Sequence, residues 1–528
     1  ARADGPRPEL SGIVPVPAPD PGVLEPLQPG FHRNMLVVTT LLVSIMATVD
    51  MSIVTVALPY MAGNLGATPD EITWVVTAFT AGQAIIIGIT GHLSRLLGRK
   101  RLAIVAVVGF ALMSAACGLA ASIDQIVFFR FLQGLFSGPL IPISQSILVD
   151  AVPGKDRNRF LSIWSMGVVG GPAIGPALGG YLVNELDWRW NFWINLPIGV
   201  LALVLISRFI RPVASRQVKT DWPGLVLLAM FLVSLQVALD QGNRLDWFSS
   251  HAIVTLFILA AGSFVAFAGR GMLIGEDNVI RLNLLSNLNF AACCLLIAII
   301  SSAFLGLLVL SPQLFSDYLG WSVLTSGLVI GSYGIAAIAG SLCSSHLAAL
   351  LGARAAIALG CLILSGGWFL FSRINLDTGP AQAMVPGMMI DFGLMIAFPL
   401  IASQAFSGLR PDLRDEGAGL FNLIKTLGFS LGVTFLTTMI YRATQSNWNR
   451  YAGNLDPTAP AYEYFLQYTG YTDGTAGTGA LLTGILGQQA GFLSLVQVME
   501  VMAVLALCAI PLTLLLKVPR KAAVTASK

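Results

Sequence analysis

Residues 35–59 read MLVVTTLLVSIMATVDMSIVTVALP, an apolar run with a single carboxylate, Asp50, well inside it. A stretch of roughly 20 apolar residues spans a bilayer as a helix. A carboxylate at the centre of such a helix costs about 2.5–3.5 kcal/mol on insertion scales, so Asp50 must face a protein interior or a wet cavity. Two readings follow: a structural tie between helices, or a group that takes up and releases a proton or another cation. The rest of the chain favours the second.

The chain has 528 residues, of which 55% are hydrophobic and 11% charged, and a mean hydropathy of +0.77. Soluble domains carry about 25% charged residues, so this composition is that of an integral membrane protein. A net charge of +3 is small and points to no nucleic-acid partner. The six cysteines (Cys117, Cys293, Cys294, Cys343, Cys361 and Cys508) all fall in apolar runs without metal-ligand spacing, and read as small packing residues. Neither they nor the four histidines form a metal set, and no cofactor is expected beyond an ion gradient. The first thirty residues are proline-rich, carry no cleavable signal pattern and read as a disordered tail. The chain begins at Ala1 without a methionine, which leaves its native start open.

Apolar runs of span length number fourteen: 35–58, 72–93, 102–121, 125–149, 159–183, 190–210, 222–240, 251–269, 289–311, 322–345, 354–372, 383–405, 417–440 and 490–516. An even number puts both termini on one side. With that side cytoplasmic, the outer loops hold only Arg189, Arg244, Arg373, Arg442 and Arg450 of the 30 basic residues, and the spans hold only Arg130 and Lys425. A repeat links the halves: His92-Leu-Ser-Arg-Leu-Leu-Gly98 follows the second span and His346-Leu-Ala-Ala-Leu-Leu-Gly352 the tenth. The expected division is a tail (1–34), a six-helix bundle (35–210), two inserted helices with a linker (211–287), a second bundle (288–517) with a long outer loop (441–489), and a second tail (518–528). Duplicated bundles with a midplane site between them are the architecture of secondary transporters.

The motif candidates follow from spacing. On the fourth span Arg130, Gln133, Gly134 and Ser137 share one helical face. Arg130 and Asp50 lie at similar depth, so ion pairing and burial pull the acid in opposite directions and a moving arginine swings the balance. The turn Gly91–Arg101, with Arg95, Gly98, Arg99 and Lys100, sets topology and is a candidate latch onto carboxylates or helix ends of a neighbouring span. Gly171, Gly175 and Gly179 make a small-residue face on the fifth span, with Pro172, Pro176 and Gly180 beside them, suited to close packing and to a hinge or an ion seal.

These stretches as a set resemble the fourteen-span drug/proton antiporters of the major facilitator superfamily, of the EmrB/QacA type. The resemblance is carried by VDMSIVTVALP (49–59), GHLSRLLGRK (91–100), RFLQGLFSGP (130–139), GPAIGPALGG (171–180) and WRWNFWINLPIGV (188–200), in the family's order. The second half matches more loosely through GLFNLIKTLGFSLG (419–432). The resemblance implies an all-α major facilitator fold, with Asp50 as the proton- or substrate-responsive acid, Arg130 as its coupling partner and the glycine-proline span as the antiport element. One departure stands out: the superfamily's loop usually has an acid where this chain has Arg95, which puts a latch built on that acid in doubt.

The other ionisable groups inside spans are Asp391, Lys425 and Glu500. With Gln83, Gln133, Ser137 and Asn422 they are the candidate cavity side chains. Lys425, near the cytoplasmic end, either snorkels to the surface or faces the cavity, and Glu500 is placed to neutralise it across helices. The loop 441–489 carries Tyr441, Tyr451, Tyr462, Tyr464, Tyr468 and Tyr471, suited to headgroup contact or to docking a partner. In EmrB-like systems that partner resembles a periplasmic adaptor feeding an outer-membrane channel. The expectation is a proton-coupled exporter of hydrophobic or amphipathic small molecules in a bacterial inner membrane, not an enzyme. The competing readings are an exporter of one metabolite (a siderophore, lipid or organic acid) and a membrane-embedded sensor or enzyme.

Overall fold

The computed structural model describes residues 30–152, 154–212, 221–274, 280–410, 413–453, 460–469 and 476–516, and these are helical almost throughout. In chain order the helices are α1 (Phe31–Leu65), α2 (Pro69–Ile72), α3 (Trp74–Leu97), α4 (Arg99–Gly118), α5 (Ile123–Ser137), α6 (Leu140–Ala151), α7 (Gly154–Glu185), α8 (Trp190–Trp193) and α9 (Asn195–Phe209). They continue as α10 (Trp222–Gln241), α11 (His251–Ile274), α12 (Leu288–Gln313), α13 (Val323–Leu351), α14 (Ala353–Phe371), α15 (Pro380–Ser407), α16 (Arg414–Ala452), α17 (Pro460–Thr469) and α18 (Ala476–Leu512). Gly138 and Pro139 interrupt one span between α5 and α6, because proline supplies no backbone N–H to continue the ladder.

Each of the fourteen expected stretches maps onto a helix or helix pair. By length and composition, however, twelve helices among the described residues qualify as spans, or thirteen with α7 counted whole. In α7 the chain bends by 43° between Asp156–Pro172 and Ile174–Glu185, and the apolar stretch of α12, Leu288–Phe304, is shorter than the rest. A count of fourteen is therefore not reached on these criteria.

Helices α1 to α9 pack among themselves, and α12 to α16 with α18 form a second group. Between them, α10 and α11 pair through Asp221, whose carboxylate accepts from Arg270 at 2.9 Å and caps α10 by accepting from Gly224 N–H at 3.2 Å. Helix α10 also bridges to α16: Ser430 donates to Gln236 at 2.9 Å and Thr434 to the Leu239 carbonyl at 3.2 Å. Large apolar side chains such as Leu112, Val204, Val265 and Ile335 point outward, as lipid-facing residues do.

The internal repeat is also a repeat of backbone. Gly98 has φ 78° and ψ 145°, and Gly352 φ 85° and ψ 153°, so both turns use the left-handed region that favours glycine.

Two expected boundaries move. Residues 31–34 were expected in the tail, yet they form the first turn of α1, held by Arg33 to Asp156 at 3.2 Å and by Phe31 against Phe209; residues 1–29 and 517–528 lie outside the described residues. The outer loop does not start at 441: α16 runs unbroken to Ala452 and α18 begins at Ala476, with α17 between them. At 1.5 Å per residue, helices of 39 and 37 residues are about 55–60 Å long, nearly twice a hydrocarbon core of about 30 Å. They project as a helical hairpin, with Asn447 donating to Ser494 at 3.2 Å and Gly487 against the Trp448 ring. Hydropathy stops at the apolar edge; backbone hydrogen bonding does not.

Candidate functional site: a buried carboxylate and a charged gate

Asp50 lies on α1 and is fully buried. Its Oδ2 accepts from Arg130 Nη1 at 2.7 Å, and its Oδ1 from Gln133 Nε2 at 3.0 Å and Asn195 Nδ2 at 2.7 Å. Among the described residues three donors and no acceptor face this carboxylate. Arg130 is satisfied in turn by Gln133 Oε1 at 2.8 Å and the Val75 carbonyl at 3.3 Å, and sits 4.1 Å from the Phe79 ring centroid. Asn195 also donates to Ser114 at 3.0 Å.

All these residues belong to α1, α3, α4, α5 and α9. Asp50, expected to face a protein interior or a wet cavity, sits inside the first bundle. The reason is geometric: Arg130 lies seven residues after Ile123 and packs onto α3, so it meets α1 from within the bundle. Gln83 and Ser137 are joined to each other at 3.1 Å, tying α3 to α5, and make no bond to Asp50.

The opposite face of α1 receives the glycines of α7. A Cβ on Gly171 would strike Thr48 Oγ1, one on Gly175 would strike Ser52 Oγ, and one on Gly179 would come within 2.6 Å of the Ile53 carbonyl. Gly180 is looser, with Val56 at 3.8 Å, and Pro176 is exposed. Helix α1 is thus clamped between a glycine face and the Asp50 network.

The basic turn joins the halves. Arg95 pairs with Glu416 at 2.9 Å, and Arg99 with Asp415 at 2.9 Å and Asp150 at 2.8 Å. Ser94 donates to Asp415 at 2.7 Å, Ser146 also bonds Asp415, Arg414 bonds Asp150, and Arg281 reaches Glu416 at 3.1 Å. Asp415 and Glu416 occupy the first turn of α16, where the helix dipole favours acids; Asp150 ends α6, where it does not, and two arginines offset the penalty. A Cβ on Gly91 would lie 2.5 Å from Glu416 Cα, so the helices touch backbone to backbone. The doubt raised by Arg95 is answered here by a different acid, Glu416. Lys100 stands apart and donates to the Ser207 carbonyl at 2.6 Å, near the end of α9.

The Major Facilitator Superfamily profile matches residues 40–433. The chain belongs to the Major Facilitator Superfamily. It is 33% identical over 419 residues to the multidrug export protein EmrB of Escherichia coli (strain K12), covering 79% of this chain and 81% of that one. It is 31% identical to the EmrB of Haemophilus influenzae over 83% of this chain and 87% of the other, and 28% identical to the fatty acid resistance protein FarB of Neisseria gonorrhoeae over 90% and 94%. Among solved structures, the human organic anion transporter MFSD10 shares the fold at a TM-score of 0.57 and 14% identity, covering 91% of this chain and all of that one. The proton:xylose symporter XylE does so at 0.56 and 12%, covering 90% of this chain and 94% of the other. This Major Facilitator Superfamily chain is EmrB-like, a transporter and not an enzyme, and a multi-pass membrane protein.

The remaining candidates of this superfamily member lie in its second half. Lys425 does not snorkel: it is buried, with Nζ donating to Asn422 Oδ1 at 2.8 Å. Glu500 is exposed on α18, and none of the described ion pairs joins it to Lys425. Asp391 is buried on α15, and its Oδ1 has no hydrogen-bond partner among the described residues. Asn195, Ser114, Gln145, Asp150, Asp415 and Glu416 escaped the sequence reading. Asn195 stands in the quoted stretch 188–200 and Asp415-Glu416 stand beside the basic Arg414, but residue type and spacing name no partner for them.

Proposed function

We propose that this chain is a proton-driven exporter of hydrophobic and amphipathic small molecules in a bacterial inner membrane, with both termini cytoplasmic. One observation carries the reading: a fully buried acid whose charge is met by a single guanidinium and two amides, on helices that lead to a gate. Helix α5 carries Arg130 and continues through Gly138-Pro139 into α6, which carries Asp150 of the gate. Protonation of Asp50 removes the charge that holds Arg130, and a shift of Arg130 along this span reaches the gate. The multidrug export relatives support a broad substrate range.

The described side-chain bonds between the two halves cluster at the basic end: the gate pairs, Asn158 with Ser403 at 2.5 Å, Ser162 with Ser341 at 2.7 Å and Gln145 with Asn422 at 2.6 Å. This is a shape closed toward the cytoplasm, with Asp50 occluded. The driving force is the proton gradient; one charge crossing 100 mV is worth about 2.3 kcal/mol. The projecting α16–α18 hairpin, with Tyr441 and Tyr451 exposed, is the surface we assign to a periplasmic adaptor that leads to an outer-membrane channel.

The test is substrate-induced proton release in proteoliposomes. Native protein releases protons when a cationic dye such as ethidium is added, and Asp50→Asn and Arg130→Ala do not. Equal release from Asp50→Asn would overturn the reading.

A further inference from the structure

A second charged site lies where the halves meet. Lys425 is 4% exposed and sits eleven residues into α16, about 16 Å from its start. An ammonium has three donors. The structure gives it one acceptor, Asn422 Oδ1, and the Phe398 ring 5.9 Å away. None of the described ion pairs includes Lys425; the acids nearest along α16, Asp415 and Glu416, are taken by Arg95, Arg99 and Arg281. The amide of Asn422 donates to Gln145 Oε1 at 2.6 Å and to the Ala418 carbonyl at 3.0 Å, and Gln145, 1% exposed, has a buried Nε2 with no partner among the described residues. Two donors therefore converge with unused capacity, and the acceptors beside them are already spent. A buried cation without a counter-charge is expensive, as is a buried N–H without an acceptor.

We infer that Lys425, Asn422 and Gln145 form the recognition site for the anionic head, carboxylate or sulfonate, of an amphipathic substrate. This deepens the exporter reading and rests on it. Gln145 belongs to α6 and Asn422 to α16, so parting of the halves at the basic end breaks their bond. That frees the Asn422 N–H that bonded Gln145, the other staying on the Ala418 carbonyl of the same helix, and turns all three side chains toward the opened cleft. A carboxylate entering there takes a charge-assisted bond from Lys425 and amide bonds from the other two, with Phe398 against the first methylenes. When the halves close again, Gln145 reclaims the Asn422 amide, the head loses that bond, and release outward is favoured. The structure shows the closed, relinked state.

The test is equilibrium binding of dodecanoate and of dodecanol to the full chain in phosphatidylcholine nanodiscs. Native protein prefers dodecanoate. The preference falls roughly tenfold or more in Lys425→Met, the loss of one charge-assisted bond, and stays within about threefold in Lys425→Arg, which keeps the charge. Gln145→Glu supplies an internal carboxylate and also abolishes the preference; if Lys425→Met does not fold, this variant and the native preference decide alone. No preference in the native protein, or a preference unaltered in Lys425→Met and Gln145→Glu, overturns the inference. Proton-coupled ethidium efflux by the native protein with no carboxylate preference sinks this inference alone, whereas no proton-coupled flux of any probe sinks the exporter reading.

Discussion

Asp50 and Arg130 meet across α1 and α5 with 2.7 Å between Oδ2 and Nη1, and neither is open to water from either side. The pair is held by neutral amides and by aromatic faces, so among the described residues it has no second charge to fall back on. Breaking a buried pair by removing one partner costs about 3–5 kcal/mol, because the other charge is left stranded. Arg130→Ala should therefore lower thermal stability in detergent strongly. Asp50→Asn combined with Arg130→Gln should recover most of that loss, since two amides of similar size replace two charges. Additive losses in the double variant would place the energy elsewhere.

The gate predicts a change of shape rather than of stability alone. Gly91 touches the backbone of Glu416, and Arg95 and Arg281 both depend on the Glu416 carboxylate. Gly91→Ala and Glu416→Gln should each shift the population toward the form open at the basic end. Spin labels at Leu96 and Leu350, exposed positions on the two halves, report this as a longer distance distribution once Cys343 and Cys508 are replaced by serine. Unaltered distributions in both variants would mean that the gate does not set the conformation.

Charged groups made the first site legible. A carboxylate and a guanidinium in apolar runs are too costly to be incidental, and helical spacing put them at one depth. Their placement within one bundle was not legible, because span counting gives depth and not azimuth. Asn195 and Ser114 carry no such penalty and looked like ordinary polar residues of a span. Asp415 and Glu416 looked like the acids that commonly open a helix, and only the folded chain shows Arg95 and Arg99 facing them. The repeat was legible as seven residues, but the charges of the gate are not repeated: Arg95 and Arg99 correspond to Ala349 and Ala353, while Lys100 keeps a basic counterpart in Arg354, so the second half has the turn without the gate pairs.

That asymmetry separates two roles of the turn. Gly98 and Gly352 share an extended backbone at positive φ, where a side chain costs about 1–3 kcal/mol. Gly98→Ala and Gly352→Ala should therefore lower the unfolding temperature by similar amounts. Only Gly98→Ala, which also tilts Arg95 and Arg99, should alter the spin-label distances at the gate.

The contact of α7 with α1 yields an ordered series. Thr48 and Ser52 precede and follow Asp50 by two residues, and so point about 200° around the helix from it, toward α7. Displacing α7 therefore pushes α1 along the line that joins the glycine face to Arg130. At Gly179 an added Cβ meets the Ile53 carbonyl at 2.6 Å, which cannot rotate away; at Gly175 it meets Ser52 Oγ and the Ile53 nitrogen at 3.0 Å; at Gly171 it meets chiefly the Thr48 hydroxyl, which can turn. Overpacking of this kind costs about 1–3 kcal/mol. Alanine should accordingly be worst at Gly179, intermediate at Gly175 and mildest at Gly171, both in unfolding temperature and in passive proton leak of reconstituted vesicles read with an internal pH dye. Gly170 has no atom within 4 Å of its would-be Cβ, so Gly170→Ala should leave both readouts near the native value or raise stability slightly. Equal effects at all four positions would show that the glycines serve backbone freedom and not the close approach of α7 to α1.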